Sequence, residues 1–325
     1  MRKAAVVLFG LSIAVAAAEI IIAWQVHIDR GRLAAFLISL ALLLTVFAGF
    51  SYTPFVKSLR QIAVQSAALA ATMPFLLLIP YLIYALGTGI FSSEALGKLA
   101  AYVAVPTLCL FPDRHHRADR VGWRDFAAML ALAVPVGAGW LGGIWTWPEE
   151  LYFFRPIFSV CIGAYAFLVL RNLDGVGYRL TFRKGDLIDG GANFAAFALI
   201  GIPLGLALGF IQFQPHGVSF WSLGFQLFAV YLTVAVPEEF LFRGVLQNFL
   251  VRSLRTEKRS LHGLLIASVI FGAAHLHHAP VPNWRYAILA TLAGIFYGNA
   301  FRNRQRLSAA ALTHALVDTV WHFWF

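Results

Sequence analysis

The sequence predicts an all-α fold, a polytopic transmembrane helix bundle with about 11 membrane segments. Of its 325 residues, 60% are hydrophobic and only 12% are charged, which is about half the charged fraction of a typical soluble domain. The mean hydropathy is +0.75. The apolar residues also occur in long blocks separated by short basic loops, which is the pattern of a chain that crosses a membrane repeatedly.

The apolar blocks give eleven candidate segments, several of them shorter than the roughly 20 residues of a perpendicular span. The first block follows Met1-Arg2-Lys3 in the manner of a signal sequence. We interpret it as an uncleaved helix, because every later block also has the composition of a span; the alternative is cleavage at the small residues Ala16-Ala17-Ala18. The predicted segments are 4–24, 33–52, 67–91, 98–111, 126–145, 155–170, 191–213, 219–251, 262–279, 286–300 and 308–325.

The basic residues predict the orientation of these segments. The formal net charge is +10. With the N-terminus in the cytoplasm, 19 of the 25 Lys and Arg residues fall in cytoplasmic segments and five on the opposite side, while Arg243 lies within a span. This bias favours a cytoplasmic N-terminus and explains the charge without nucleic-acid binding, which we do not expect. The expected location is the inner (cytoplasmic) membrane of a bacterial cell.

The stretch Gly175–Gly191 differs from its neighbours, because it combines glycines, charges and alternating β-forming residues. We interpret it as a short cytoplasmic loop or hairpin. It divides the chain into an N-terminal membrane region of about six helices at 1–175, whose role the sequence does not indicate, and a C-terminal membrane domain at 190–325.

Ionisable residues within the C-terminal membrane segments are the main functional signal, because charges in a bilayer cost about 2.5–3.5 kcal/mol and usually serve function. In segment 219–251, Glu239 and Arg243 are four residues apart and can pair on one helix face. Glu238 points about 100° away and has no such partner. An unpaired carboxylate in an apolar bundle is a candidate general base.

Two later segments contribute His275, His314 and Asp318, the last two spaced i, i+4 on one face. Glu238 lies 14 residues before Arg252 and His275 lies 13 residues after His262, so a helical rise of about 1.5 Å per residue puts both about 20 Å from one surface. The same arithmetic puts Asp318 at about 15 Å and His314 at about 9 Å. The sequence therefore predicts one site inside the membrane.

A carboxylate and two histidines can activate water and stabilise an oxyanion. They can also hold zinc, in which case the ligands would be Glu238, His275 and His314. The chain contains neither an HExxH helix nor a GxSxG elbow, so the usual zinc-protease and serine-hydrolase motifs are absent. We favour water activation by the glutamate without a metal cofactor, because only one carboxylate is free to ligate a metal and the side chain at position 318 suits hydrogen bonding better.

Three motifs carry a family resemblance: EEFLFRG at 238–244, FGAAH at 271–275 and HALVD at 314–318. In order, spacing and setting they resemble the motifs of the CPBP family, the CAAX-processing and bacteriocin-processing intramembrane proteases, also called Abi or Rce1-type. The resemblance covers roughly residues 190–325. It implies that Glu238 and His275 activate water and that His314 and Asp318 lie on the oxyanion side, supported by Glu239 and Arg243.

One residue departs from the family pattern, in which the last position is often Asn where this chain has Asp318. An amide can donate a hydrogen bond to an oxyanion, whereas an ionised carboxylate cannot. Two interpretations are open: a protonated Asp318, or an ionised Asp318 that orients His314 from behind.

The resulting hypothesis is an intramembrane endopeptidase that hydrolyses a peptide bond in a membrane-anchored protein or in a prenylated or lipid-anchored peptide. Its partners would be that substrate and the lipid bilayer. One alternative is a transporter or proton relay, since buried Glu and His chains also carry ions, although no inverted repeat is visible. The other alternative is a non-catalytic membrane scaffold or an immunity-type protein.

Overall fold

The computed structural model describes residues 29–116, 120–215 and 217–325. These residues form helices and connecting segments, with no strand among them. They divide into two compact units, one ending at Leu173 and the other comprising Asp174–Phe325 with the short segment 120–121. The predicted first segment, 4–24, lies outside the described residues.

The described part of the N-terminal unit contains six helices. Asp29 begins the first one by accepting a hydrogen bond from the Arg32 backbone N–H at 2.9 Å, which satisfies a donor of the first turn. In chain order the helices are α1 (Arg30–Gly49), α2 (Thr53–Gln65), α3 (Ala67–Thr88), α4 (Ser93–His115), α5 (Trp123–Gly137) and α6 (Phe154–Leu170).

Helix α2 was not predicted; it lies between the predicted segments 33–52 and 67–91 and contains Lys57 and Arg60. This 13-residue helix is amphipathic rather than apolar, so a search for long apolar blocks passes over it. Its end coincides with the next cap, where the Ser66 hydroxyl accepts a hydrogen bond from the Leu69 backbone N–H. A short amphipathic helix of this kind is typical of a membrane interface.

The described residues of the C-terminal unit form five helices, and this unit carries all the predicted site residues. The segment before it is an irregular chain up to Arg183, without strands, so the hairpin alternative is wrong. Asp186 accepts a hydrogen bond from the Arg183 backbone N–H at 2.8 Å and begins the first helix there, seven residues before the predicted start. The helices are α7 (Lys184–Ala207), α8 (Phe220–Ser253), α9 (Arg259–Ala273), α10 (Trp284–Arg304) and α11 (Leu307–Trp324).

Five of the described helices are long and apolar enough to cross a membrane: α1, α3, α4, α7 and α8. Two shorter helices, α6 and α9, are also apolar. These helices support an integral membrane protein, but they do not confirm the predicted number of about 11 membrane segments. Helix α10 falls short because polar residues, including Asn299, Arg302 and Arg304, occupy its last two turns.

Helix α8 is wound irregularly where it carries the acidic motif. Residues Tyr231–Ala235 and Phe240–Gln247 are π-helical and flank a single α-helical turn at Val236–Glu239. Pro237 lies in that turn and has no N–H to donate to the helical ladder. Short π-helical segments inside α-helices occur frequently at functional sites.

Candidate active site

Glu239 and Arg243 form the buried ion pair predicted from their spacing. Arg243 Nε lies 3.1 Å from Glu239 Oε2, and both side chains are 0% exposed. These two atoms do not meet hydrogen-bond geometry, so the contact is mainly electrostatic. The charges offset each other's burial cost, which is several kcal/mol per ion.

Arg243 is held against α10 and the aromatic core around it. Its Nη2 donates to the backbone oxygen of Gly294 at 3.3 Å, and its guanidinium carbon lies 4.8 Å from the centre of the Phe271 ring. A Cβ at position 294 would lie 3.2 Å from Ser268 atoms, so the glycine permits this close approach of α9, α10 and the arginine.

Glu239 also reaches the last helix. Its Oε1 lies 2.9 Å from His314 Nδ1, so the carboxylate bridges the arginine of its own helix and the histidine of α11. The i, i+4 spacing predicts only the pair of Glu239 with Arg243. The histidine is 75 positions away in sequence, and no local spacing rule reports such a contact.

The other nitrogen of His314 faces two further carboxylates. Nε2 lies 3.4 Å from Asp318 Oδ2 and 3.9 Å from Glu238 Oε2. Glu239 therefore lies on the Nδ1 side of the ring, whereas Asp318 lies on the Nε2 side together with Glu238. The two interpretations of Asp318, protonated or orienting His314, stay predictions.

Glu238 differs from its neighbour in its surroundings. Its side chain is 36% exposed, yet its Oε2 atom is buried and has no hydrogen-bond partner among the described residues. A carboxylate oxygen in this state is free to accept a proton or a hydrogen bond. The adjacent side chains thus differ in exposure: Glu238 is partly exposed, whereas Glu239 is fully buried.

His275 lies two residues beyond the end of α9 at Ala273, so the helix predicted to 279 ends earlier. The depth inferred for His275 assumed that continuous helix. The ring Nδ1 lies 2.7 Å from the Phe271 backbone oxygen. Because a carbonyl oxygen can only accept, Nδ1 carries the proton, and Nε2 of the neutral ring is an acceptor. Within the described chain His275 forms no ion pair with Glu238 or Asp318.

An apolar cavity adjoins these groups. It encloses about 690 Å³ of empty space, including its open mouth. His275, His314 and Asp318 line it together with Tyr286 and Tyr297, and most of the remaining wall is aliphatic or aromatic. An apolar pocket with a few convergent polar groups is typical of a ligand-binding or active site.

The alternative zinc set does not fit this arrangement. Within residues 29–116, 120–215 and 217–325, no group of three His, Cys, Asp or Glu side chains is arranged to hold a metal ion. We therefore derive no step through a metal.

Comparison with known families agrees with the motifs. Residues 220–320 match the family described as type II CAAX prenyl endopeptidase Rce1-like. The predicted family resemblance is confirmed. The matched residues run from the start of α8 into α11 and contain every predicted site residue. No curated protein and no solved structure matches the chain.

Proposed function

We propose that this protein is a membrane endopeptidase that hydrolyses a peptide bond with a water molecule activated by Glu238 and His275. The observation that carries the proposal is the unpartnered Oε2 of Glu238, which lies within 4 Å of His314 Nε2. His314 in turn lines the apolar cavity. The family match to CAAX prenyl endopeptidases supports the reaction class.

The proposed first step is attack by water on the scissile carbonyl. The two hydrogens of the water bond to Glu238 Oε2 and to the acceptor Nε2 of His275. Glu238 takes one proton as the oxygen of the water bonds to the carbonyl carbon and the carbonyl π electrons move to its oxygen. Collapse of the tetrahedral intermediate breaks the C–N bond, and the proton held by Glu238 passes to the leaving amine.

His314 is proposed to stabilise the oxyanion through Nε2–H. It can do so while Nδ1–H donates to Glu239, because a protonated imidazole donates from both nitrogens. Glu239 is held in turn by Arg243. Donors fixed in advance at a developing negative charge are usually the largest single contribution to catalysis.

The proposed substrate is a membrane-anchored protein or a prenylated or lipid-anchored peptide. The cavity wall consists mainly of aromatic and aliphatic side chains such as Phe194, Phe197 and Leu289, which suit a lipid chain or an apolar peptide segment. We propose a bacterial inner membrane with the N-terminus in the cytoplasm, on the distribution of basic residues.

The test is cleavage of a membrane-anchored reporter peptide in proteoliposomes that contain the purified full chain. We expect Glu238→Gln and His275→Asn each to lower kcat by at least about 10²-fold, the range for loss of a general base. Unchanged cleavage by both variants would show that these residues do not perform the reaction.

Matched controls make the same chemical changes at exposed positions of the same unit. Glu257 and His262 are exposed, and we expect Glu257→Gln and His262→Asn to cleave at the wild-type rate. If these controls lost activity with the site variants, the loss would reflect damage to the folded domain instead of removal of a base.

A further inference from the structure

Two tyrosine hydroxyls in the cavity differ from those of five buried tyrosines elsewhere in the described chain. Tyr286 and Tyr297 both line the cavity, and among the described residues neither hydroxyl has a hydrogen-bond partner. Buried tyrosines normally find one. Five others do so with backbone oxygens: Tyr81 with Ser92, Tyr84 with Trp147, Tyr102 with Leu132, Tyr165 with Ala70 and Tyr231 with Leu180.

The two tyrosines have different neighbours. Tyr297 is 2% exposed and stacks on the His314 ring at 4.5 Å between centroids, with 14° between the planes. It supports that ring from one face. Tyr286 is half-buried and its ring contacts His275 edge to face at 4.6 Å. It is therefore the more accessible hydroxyl donor beside the candidate water-activating histidine.

Tyr286 lines the same cavity as His314 and Asp318. The ring is fixed on its other sides by Phe210 and Trp321, at centroid distances of 5.1 and 5.5 Å. A side chain packed in this way keeps its hydroxyl in one place, as a catalytic donor requires.

With an ionised Asp318, the site as proposed lacks a second oxyanion donor. Asp318 lies on the Nε2 side of His314, where an ionised carboxylate can only accept and would repel a developing negative charge. Glu238 and the acceptor nitrogen of His275 are engaged with the water. The oxyanion would otherwise depend on His314 Nε2–H alone.

We propose that Tyr286 is a catalytic residue whose hydroxyl donates a hydrogen bond to the oxyanion of the tetrahedral intermediate. The tyrosine keeps its proton throughout, so the proton balance of the proposed hydrolysis is unchanged. This inference rests on the proposed function, because it assigns an additional donor to the same reaction.

The experiment uses the full chain in proteoliposomes with the same anchored reporter peptide. We expect Tyr286→Phe to lower kcat by about 10²–10³-fold, the usual effect of losing one oxyanion donor. KM should change less than about threefold, because the donor acts only in the transition state. A kcat within about threefold of wild type would overturn the assignment.

The matched control is Tyr231→Phe. It removes a hydroxyl from the same unit whose bond to the Leu180 oxygen is a long 3.4 Å, and we expect kcat within about twofold of wild type. A second variant replaces Tyr286 by 4-aminophenylalanine, which keeps a donor in a ring of the same shape. It should recover at least about tenfold of the lost kcat relative to Phe, and no recovery in the folded protein would overturn the proposal.

A third comparison separates an oxyanion role from a purely structural one. Asp318→Asn supplies an amide donor next to His314, so in that background Tyr286→Phe should cost less than about tenfold in kcat. An undiminished loss would contradict a shared oxyanion. If Tyr286→Phe were fully active while Glu238→Gln was inactive, only the tyrosine proposal would fail. If Glu238→Gln were also fully active, the proposed function would fail with it.

Discussion

Removal of Arg243 is the perturbation whose size follows most directly from the structure. Arg243→Met leaves Glu239 in a site that is 0% exposed, and breaking one side of a buried ion pair typically costs 3–5 kcal/mol. Glu239 keeps its contact with His314, which favours the lower end of that range.

We therefore expect the free energy of unfolding to fall by about 3–4 kcal/mol, which is roughly a 10²–10³-fold change in the unfolding equilibrium constant. The measurement is reversible unfolding of the purified chain in mixed micelles titrated with denaturing detergent. The control is Arg255→Met in the exposed loop before α9, which should change the same free energy by less than about 0.5 kcal/mol.

The double variant Glu239→Gln/Arg243→Met tests the cause of this loss. Gln can still accept a hydrogen bond from His314, but neither position then carries a buried charge. Because the cost of breaking the pair is mainly an uncompensated charge, the double variant should be more stable than the sum of the two single changes by at least about 1 kcal/mol. Simple additivity, or a loss below about 1 kcal/mol for Arg243→Met alone, would refute the reasoning.

Two further predictions concern helix packing and metal dependence. Gly272→Ala should lower the free energy of unfolding by about 1–3 kcal/mol, because the added Cβ would meet Thr291 Oγ1 at 1.9 Å and the Ala287 oxygen at 2.5 Å. In contrast, Gly191→Ala on α7, where a Cβ has no neighbour within 4 Å, should be neutral or stabilising by up to about 1 kcal/mol. Treatment with 1,10-phenanthroline should leave cleavage unchanged if the mechanism is of the glutamate type. Inhibition that added zinc reverses would show that this mechanism is wrong.

The parts of the fold that the sequence predicts well are those encoded locally. The apolar blocks of α1, α3 and α4 are continuous in sequence, and the spacing of Glu239 and Arg243 is an i, i+4 relation that any helix brings together. Helix α2 was not predicted, because its only signal in the sequence is amphipathic periodicity over 13 residues. Helix α7 begins earlier than predicted because of the cap at Arg183, and helix α9 ends earlier than predicted because turns follow Ala273. Hydropathy reports neither boundary.

The contacts that decide the chemistry of the site are long-range. The bond from Glu239 to His314 depends on the register between α8 and α11, and the position of Asp318 relative to Nε2 depends on the same register. Neither hydropathy nor motif spacing indicates the register between two helices that are far apart in sequence. A signal for the cavity tyrosine was available: Tyr286 is a hydroxyl-bearing ring a few residues after a histidine motif. A single tyrosine cannot be recognised as a site residue from the sequence, because its position relative to the site is known only from the structure.

The charges of the site explain why Glu239 is tied to both Arg243 and His314. Three carboxylates, those of Glu238, Glu239 and Asp318, face one guanidinium and one imidazole. A protonated His314 ring donates to Glu239 through Nδ1 and keeps Nε2–H for the oxyanion. Arg243 compensates Glu239 where both side chains are 0% exposed, whereas Glu238 has only a share in the His314 ring, whose Nε2 lies 3.9 Å from its Oε2. In the proposed mechanism, the base Glu238 therefore depends on its neighbour Glu239 being neutralised by an arginine one turn away.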